Sequence, residues 1–292
     1  MTRTRGFTVL VATDGSAASK VAVTTTLRFP WPTGTTVHGV VGRGNGVAGD
    51  YPVPVWEAWD EALERTADKS RQWLGHRWPD AEVAVVRRTP VEAILYQARR
   101  VGADIIVVGS RGHGPVRRLL LGSVSRAVVR RTPCTTLVVK GRPRDPRRFV
   151  VGLDGSTNAQ RAVEFVARLR PPRGGLVRLV EVVDILSLPS GGLMPARVRG
   201  ALAGQLRTVN SQRLAGARRR LGAAARRLRR AGWRTRSVVR AGAPLRELLD
   251  LARHADVLVL GARGVSGVER ALLGSVAEGA LSHARLPVLI VR

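Results

Sequence analysis

The sequence predicts an α/β chain made of two tandem copies of one domain, each a parallel sheet flanked by helices. Three observations predict it. An apolar run ending in Asp-Gly-Ser occurs at 7–16 and again at 149–156. A Gly-rich pattern, G-x2-G-x9-G-S, also occurs twice, each time after a short aliphatic run. Between these landmarks, short aliphatic runs alternate with segments of helical character. That is the pattern of βαβ units whose strands are buried on both faces.

The first copy reads strand 7–12, helix 17–28, strand 36–41, a loop, helix 55–75, strand 82–87, helix 90–100, strand 104–109, a Gly-rich loop, helix 123–130 and strand 136–140. Each strand is short, continuous and aliphatic, and Pro52 and Pro54 delay the helix after the second strand. The second copy reads the same way. Asp14-Gly15-Ser16 recurs as Asp154-Gly155-Ser156, an offset of 140. Ala103-Asp104 recurs as Ala255-Asp256, an offset of 152, so the second copy carries an insertion between these landmarks. The seam falls in the polar, proline-bearing stretch 141–146, which predicts domains at 1–142 and 146–292.

Composition bounds the remaining possibilities. The 292 residues suit two domains, and 44% apolar residues supply a core for each. Aromatics are only 4%, so an aliphatic core is expected. The single Cys134 cannot form an internal disulfide. No apolar run reaches the ~20 residues that cross a bilayer, and the N-terminus lacks the pattern of a secretory signal. The expectation is a cytoplasmic protein without a transmembrane segment.

The formal net charge is +28, and 46 of the 49 basic residues are Arg. The first 145 residues hold 22 bases and 12 acids and the remainder 27 and 9, so both halves are positive. Arg enrichment over the whole chain makes nucleic acid the disfavoured partner on charge alone. The segment 213–236 is the densest, with ten Arg and no acid. Leu214, Leu221 and Leu228 recur there every seven residues, as do Ala217, Ala224 and Ala231. This predicts an amphipathic helix packed on the sheet, with a solvated Arg face.

The chemistry lies in the Gly-rich pattern. The first copy has Gly109, Gly112, Gly122 and Ser123, and the second Gly261, Gly264, Gly274 and Ser275. At this glycine content, three fixed glycines recur by chance at about one start in a thousand. Glycines at a strand end let backbone approach a ligand, and free N–H groups at the next helix start favour an anion. Ser123 and Ser275 stand at that helix start, where a hydroxyl can cap the helix or donate to a phosphate. The alternative reading is tight turns and N-caps alone. Both Asp-Gly-Ser turns follow strand ends, so they belong on the same sheet edge as the Gly-rich loops. Gly44-Asn45-Gly46-Val47-Ala48-Gly49 fits G-x-G-x-x-G but follows a second strand, which reads as a loop. No P-loop, metal-ligand spacing or nucleophile–base–acid set is present, and no catalytic residue is assigned.

Over nearly the whole chain these motifs resemble the universal stress proteins, in their tandem, ATP-binding form. The resemblance implies two Rossmann-like (adenine nucleotide alpha hydrolase-like) domains, each an open five-stranded parallel sheet, paired through their last strands. It implies ATP as ligand, with or without Mg2+. Asp14 and Asp154 would contact the nucleoside end, and Val40 and Val182 would lie against adenine. Gly109, Gly112, Gly122, Ser123 and Val124 would hold phosphates and ribose in the first copy. Gly261, Gly264, Gly274, Ser275 and Val276 would do so in the second. Ser110 against Ala262, His113 against Val265, and Gly42 against Asp184 differ between copies, whereas Arg111 matches Arg263 and Arg118 matches Arg270. The expected role is a nucleotide-responsive regulator in stress or dormancy, with an unidentified protein partner and a homodimer as options. A slow ATPase or phosphoryl or adenylyl transferase, and an Arg-rich nucleic-acid binder, are the alternatives.

Overall fold

The computed structural model describes residues 6–43, 53–112, 121–188, 195–264 and 273–292. The first half runs β1 (Thr8–Ala12), α1 (Ala17–Arg28), β2 (Thr36–Gly42), α2 (Val53–Gly75), β3 (Glu82–Val86), α3 (Pro90–Val101), β4 (Ile105–Gly109), α4 (Ser123–Arg131) and β5 (Thr135–Val139). The second half runs β6 (Arg148–Leu153), α5 (Thr157–Arg168), β7 (Leu176–Val183), α6 (Ala196–Arg230), β8 (Arg234–Ala241), α7 (Pro244–Ala252), β9 (Val257–Gly261), α8 (Ser275–His283) and β10 (Val288–Val291). Every element read in the first copy is present.

All ten strands form one sheet, in the order β3-β2-β1-β4-β5-β10-β9-β6-β7-β8. Within each half the pairs are parallel, as burial on both faces demands. Val9 and Val11 enter one core layer and Leu10 the other, all fully buried. The first layer holds α1, α2, α5 and α6, and the second holds α3, α4, α7 and α8. The halves meet through β5 and β10, which pair antiparallel with Leu137 opposite Leu289. This is the expected pairing through the last strands.

Three devices lock that seam. The chain's four Phe residues and two of its Trp gather there. Phe29 and Trp31 of the first half and Phe149 and Trp233 of the second form a chain of ring contacts at 4.3, 6.0 and 5.1 Å. Phe7 meets Phe165 at 5.8 Å. The core is therefore aliphatic within each half but aromatic between them. The last-strand cations also cross over. Lys140 Nζ donates to the Leu281 and Ala284 carbonyls at the C-terminus of α8, and Arg292 Nη2 donates to Val129 O at 2.7 Å in α4. Cations favour helix C-termini, where carbonyls lack partners. Finally, Arg130 of α4 pairs with Glu278 of α8 at 2.9 Å.

The recurrent Ala-Asp has a structural cause. Asp104 Oδ2 accepts from Thr8 N at 2.8 Å, and Asp256 Oδ2 accepts from Arg148 N at 2.8 Å. Each carboxylate holds the start of the first strand of its half beside the fourth. The insertion also has a place. The offset rises by 12, and α6 is 35 residues long against 23 for α2. Thr66 of α2 and Arg220 of α6 both lie against the Asp-Gly-Ser turn, near Gly15 and Gly155. Measured from those residues, the extra length lies on the N-terminal side of α6. The Arg-rich segment 213–236 is only partly helical: Arg230 ends α6, and Arg234 and Arg236 belong to β8.

Candidate functional site

The order of strands reverses between β1 and β4, and again between β6 and β9. Ligands in such sheets bind at these points, beyond the carboxyl ends. Both Asp-Gly-Ser turns lie there, with Gly112 and Gly264 of the Gly-rich segments against their aspartates.

Each turn has a local logic. Asp14 Oδ1 accepts from Ser16 N at 3.0 Å, and Asp154 Oδ1 from Ser156 N at 2.9 Å. Gly15 and Gly155 take φ of 78° and 85°, a region that disfavours any side chain. Ser16 and Ser156 cap α1 and α5, accepting from Ser19 N and Ala159 N at 3.2 and 3.1 Å. Both aspartates are exposed. One oxygen holds the turn, and the other lies against Gly112 or Gly264.

The glycines of the loop divide by role. A Cβ on Gly112 would stand 2.8 Å from Asp14 Oδ2, and one on Gly264 2.5 Å from Asp154 Oδ2. At these two glycines the backbone runs closer to the carboxylate than any side chain would allow. Gly109 and Gly261 face elsewhere. Their Cβ atoms would stand 2.7 Å from Ala18 O and Asn158 C, the backbone of the first turns of α1 and α5. Both are therefore needed for strand–helix packing, a demand the phosphate reading did not include. Gly122 and Gly274 return the loop to its start, with their N–H groups donating to Ser110 O and Ala262 O at 2.8 Å.

The glycine–serine pair also resolves. Gly122 and Gly274 occupy the N-cap positions of α4 and α8, with no side-chain cap. Ser123 and Ser275 are the first helical residues, so neither hydroxyl caps its helix. Val124 and Val276 follow, partly buried against the core. Ser125 Oγ donates to Gly109 O at 2.6 Å and ties α4 to β4. Its counterpart, Ala277, cannot do so.

The adenine-side pair needs correction. β1 pairs Ala12 with Val40, and β6 pairs Gly152 with Val180. Counted from the Asp-Gly-Ser turn, the counterpart of Val40 is Val180, and the counterpart of Val182 is Gly42. The pairing of Val40 with Val182 fails because the sequence run fixes no strand register. Val40 is 1% exposed and its carbonyl accepts from Thr13 N at 3.0 Å. Val182 stands two residues further along, partly buried. Gly42 is packed tightly, its Cβ position lying 2.7 Å from Pro90 Cα. The two halves therefore present different surfaces at this end.

A further asymmetry went unread in the sequence. Glu181, 2% exposed, takes the place of the buried Val41, and Arg220 that of Thr66. Arg220 Nε donates to Glu181 Oε1 and Oε2 at 3.1 and 3.2 Å. This hydrogen bonding raises the guanidinium pKa, and the Asp154 charge adds to it. An acid inside an aliphatic strand was the available signal.

His113, Val265, Arg118, Arg270 and the glycines at 44–49 lie outside the described residues. Among the described residues, no cluster of three His, Cys, Asp or Glu could hold a metal, and no helix is long and apolar enough to cross a membrane. A cleft of about 1180 Å³, lined by Lys140, Arg142, Arg246 and Arg285, lies at the seam rather than at either loop.

The universal stress protein family model matches residues 7–140 and 146–292. Universal stress protein Rv2005c of Mycobacterium tuberculosis is 29% identical over 288 residues, covering 88% of this chain and 86% of that protein. Universal stress protein Rv1996 of the same species is 31% identical over 202 residues, covering 64% and 58% respectively. The crystal structure of a universal stress protein from Archaeoglobus fulgidus aligns with a TM-score of 0.64 over 98% of both chains, at 18% identity, a likeness of fold. With both halves matched, the chain belongs to the universal stress protein family.

Proposed function

We propose that each half binds one nucleoside triphosphate, ATP foremost, and that the chain is an ATP-responsive regulator in stress or dormancy. One observation carries the reading: in both halves a glycine of the Gly-rich segment lets its backbone run directly against an exposed aspartate, Gly112 beside Asp14 and Gly264 beside Asp154. The same edge presents helix starts without side-chain caps at Gly122 and Gly274. Free N–H groups there suit phosphate oxygens, and a carboxylate nearby suits the hydroxyl or amino donors of a nucleoside. Mg2+ would travel with the phosphates. Bound ATP would then bias which partner the chain accepts.

The test is calorimetry with ATP and with GTP at moderate salt, on the wild type and on Gly122→Glu/Gly274→Glu. Two saturable ATP sites, weaker GTP binding and loss in the variant are expected. Equal, salt-sensitive binding of both nucleotides, unchanged in the variant, would leave the loops as turns only.

A further inference from the structure

The two halves are an internal control for each other. They share one fold, so what both need for folding should appear in both. α2 and α6 occupy equivalent places in the same layer. α2 carries five acids and three bases. α6 carries eleven Arg and no acid. From 185 to 246 the chain holds 15 Arg and not one Asp, Glu or Lys. The first half shows that the fold does not require this charge.

Some of these arginines have structural work. Arg220 holds Glu181, Arg227 lies 3.6 Å from Glu164, Arg229 donates to Thr235, and Arg213 donates to Asp184 O. Arg234, Arg236 and Arg240 stand on β8, an edge strand, where charge guards against further pairing. In the part of α6 beyond Arg213, four other arginines are exposed and make no ion pair among the described residues: Arg218, Arg219, Arg226 and Arg230. Arg219, Arg226 and Arg230 recur at seven and four residues, on the side away from the buried Leu221, Ala224 and Leu228. They form a row about 16 Å long, with Arg218 on its flank.

We propose that this outer arginine face of α6 is a docking surface for the phosphodiester backbone of nucleic acid. Guanidinium groups match phosphate oxygens two at a time, which isolated ammonium groups do not. A lipid surface fits less well. A membrane-lying helix inserts large apolar side chains beside its cations. The exposed large apolar residues of α6 are Val198 and Val209, both N-terminal to the row. The surface does not depend on nucleotide binding at the sheet edge.

The test uses the full chain and two labelled probes of unselected sequence, a 25-base-pair duplex and a 25-nucleotide single strand, read by anisotropy across salt concentrations. Four phosphate contacts predict a log–log salt slope of about −3.6 on the duplex, or roughly 150-fold weaker binding at 200 mM than at 50 mM salt. Arg218→Gln/Arg219→Gln/Arg226→Gln/Arg230→Gln should flatten that slope and weaken binding to a similar degree. Gln keeps helix propensity, and circular dichroism checks the fold. Arg99→Gln/Arg100→Gln/Arg142→Gln/Arg144→Gln removes equal charge elsewhere and should bind as wild type. Equal loss in both variants would mean net charge alone, and would overturn the proposal. So would an unchanged slope in the α6 variant, or α6-dependent binding to phosphatidylserine vesicles with none to either nucleic acid.

Discussion

Arg220→Ala should destabilise the chain although Arg220 itself is half exposed. Glu181 is 2% exposed, and Arg220 supplies the opposite charge and the hydrogen bonds to its carboxylate. Removing one partner of a buried pair costs about 3–5 kcal/mol, because the other charge is left uncompensated. The Arg220 side chain is 45% exposed, so water can enter the vacated space. That screening lowers the cost to about 2–3 kcal/mol, at or below the bottom of that range. Glu181→Val/Arg220→Thr instead installs the first half's own Val41 and Thr66, which pack there without charge. Its stability should fall within about 1 kcal/mol of wild type, or exceed it. Urea unfolding followed by the fluorescence of buried Trp31 and Trp233 reads both variants. A negligible cost for Arg220→Ala, or an equal cost for the double variant, would refute the argument.

Phe149→Ala removes a fully buried ring from the seam and should cost about 3–5 kcal/mol in the same assay, where a loss under 1 would deny the aromatic lock. Gly109→Ala should lower stability by roughly 1–3 kcal/mol, because its Cβ meets helix backbone. Gly112→Ala sets its Cβ against the Asp14 carboxylate rather than against helix backbone, so calorimetry should show weakened ATP binding at one site with stability nearly unchanged. Burial and the nearby Arg111 charge lower the Lys140 pKa from 10.5 to about 8. Between those values the unfolded chain binds the proton that the folded chain releases. Wild-type stability should therefore rise with pH across this window relative to Lys140→Met, and parallel pH profiles would contradict it.

Much of the fold was legible because the chain states it twice. Short aliphatic strands with intervening helices identify a parallel sheet without reference to tertiary contacts. The jump of the offset from 140 to 152 measured an insertion before its place was known. Duplication likewise separated the recurrent glycines from background, since a pattern present in both halves survives their divergence. Strand register was not legible. β2 and β7 are apolar enough that several alignments look equally good, and Val40 was matched to Val182 two residues out of place. The aromatic lock was hidden too, because Phe7, Phe29, Phe149 and Phe165 are far apart in sequence.

By itself the sequence determined the tandem architecture, the element order, and the two Asp and Gly-rich motifs at strand ends. These follow from local periodicity and from repetition, both readable along one dimension. The tertiary structure decided the rest. It joined β5 to β10 in one ten-stranded sheet and set Gly112 and Gly264 against Asp14 and Asp154. It also gave Gly109 and Gly261 to helix packing, and made Glu181 a buried charge that needs Arg220. Each of these depends on which distant atoms meet, and close packing in three dimensions settles that.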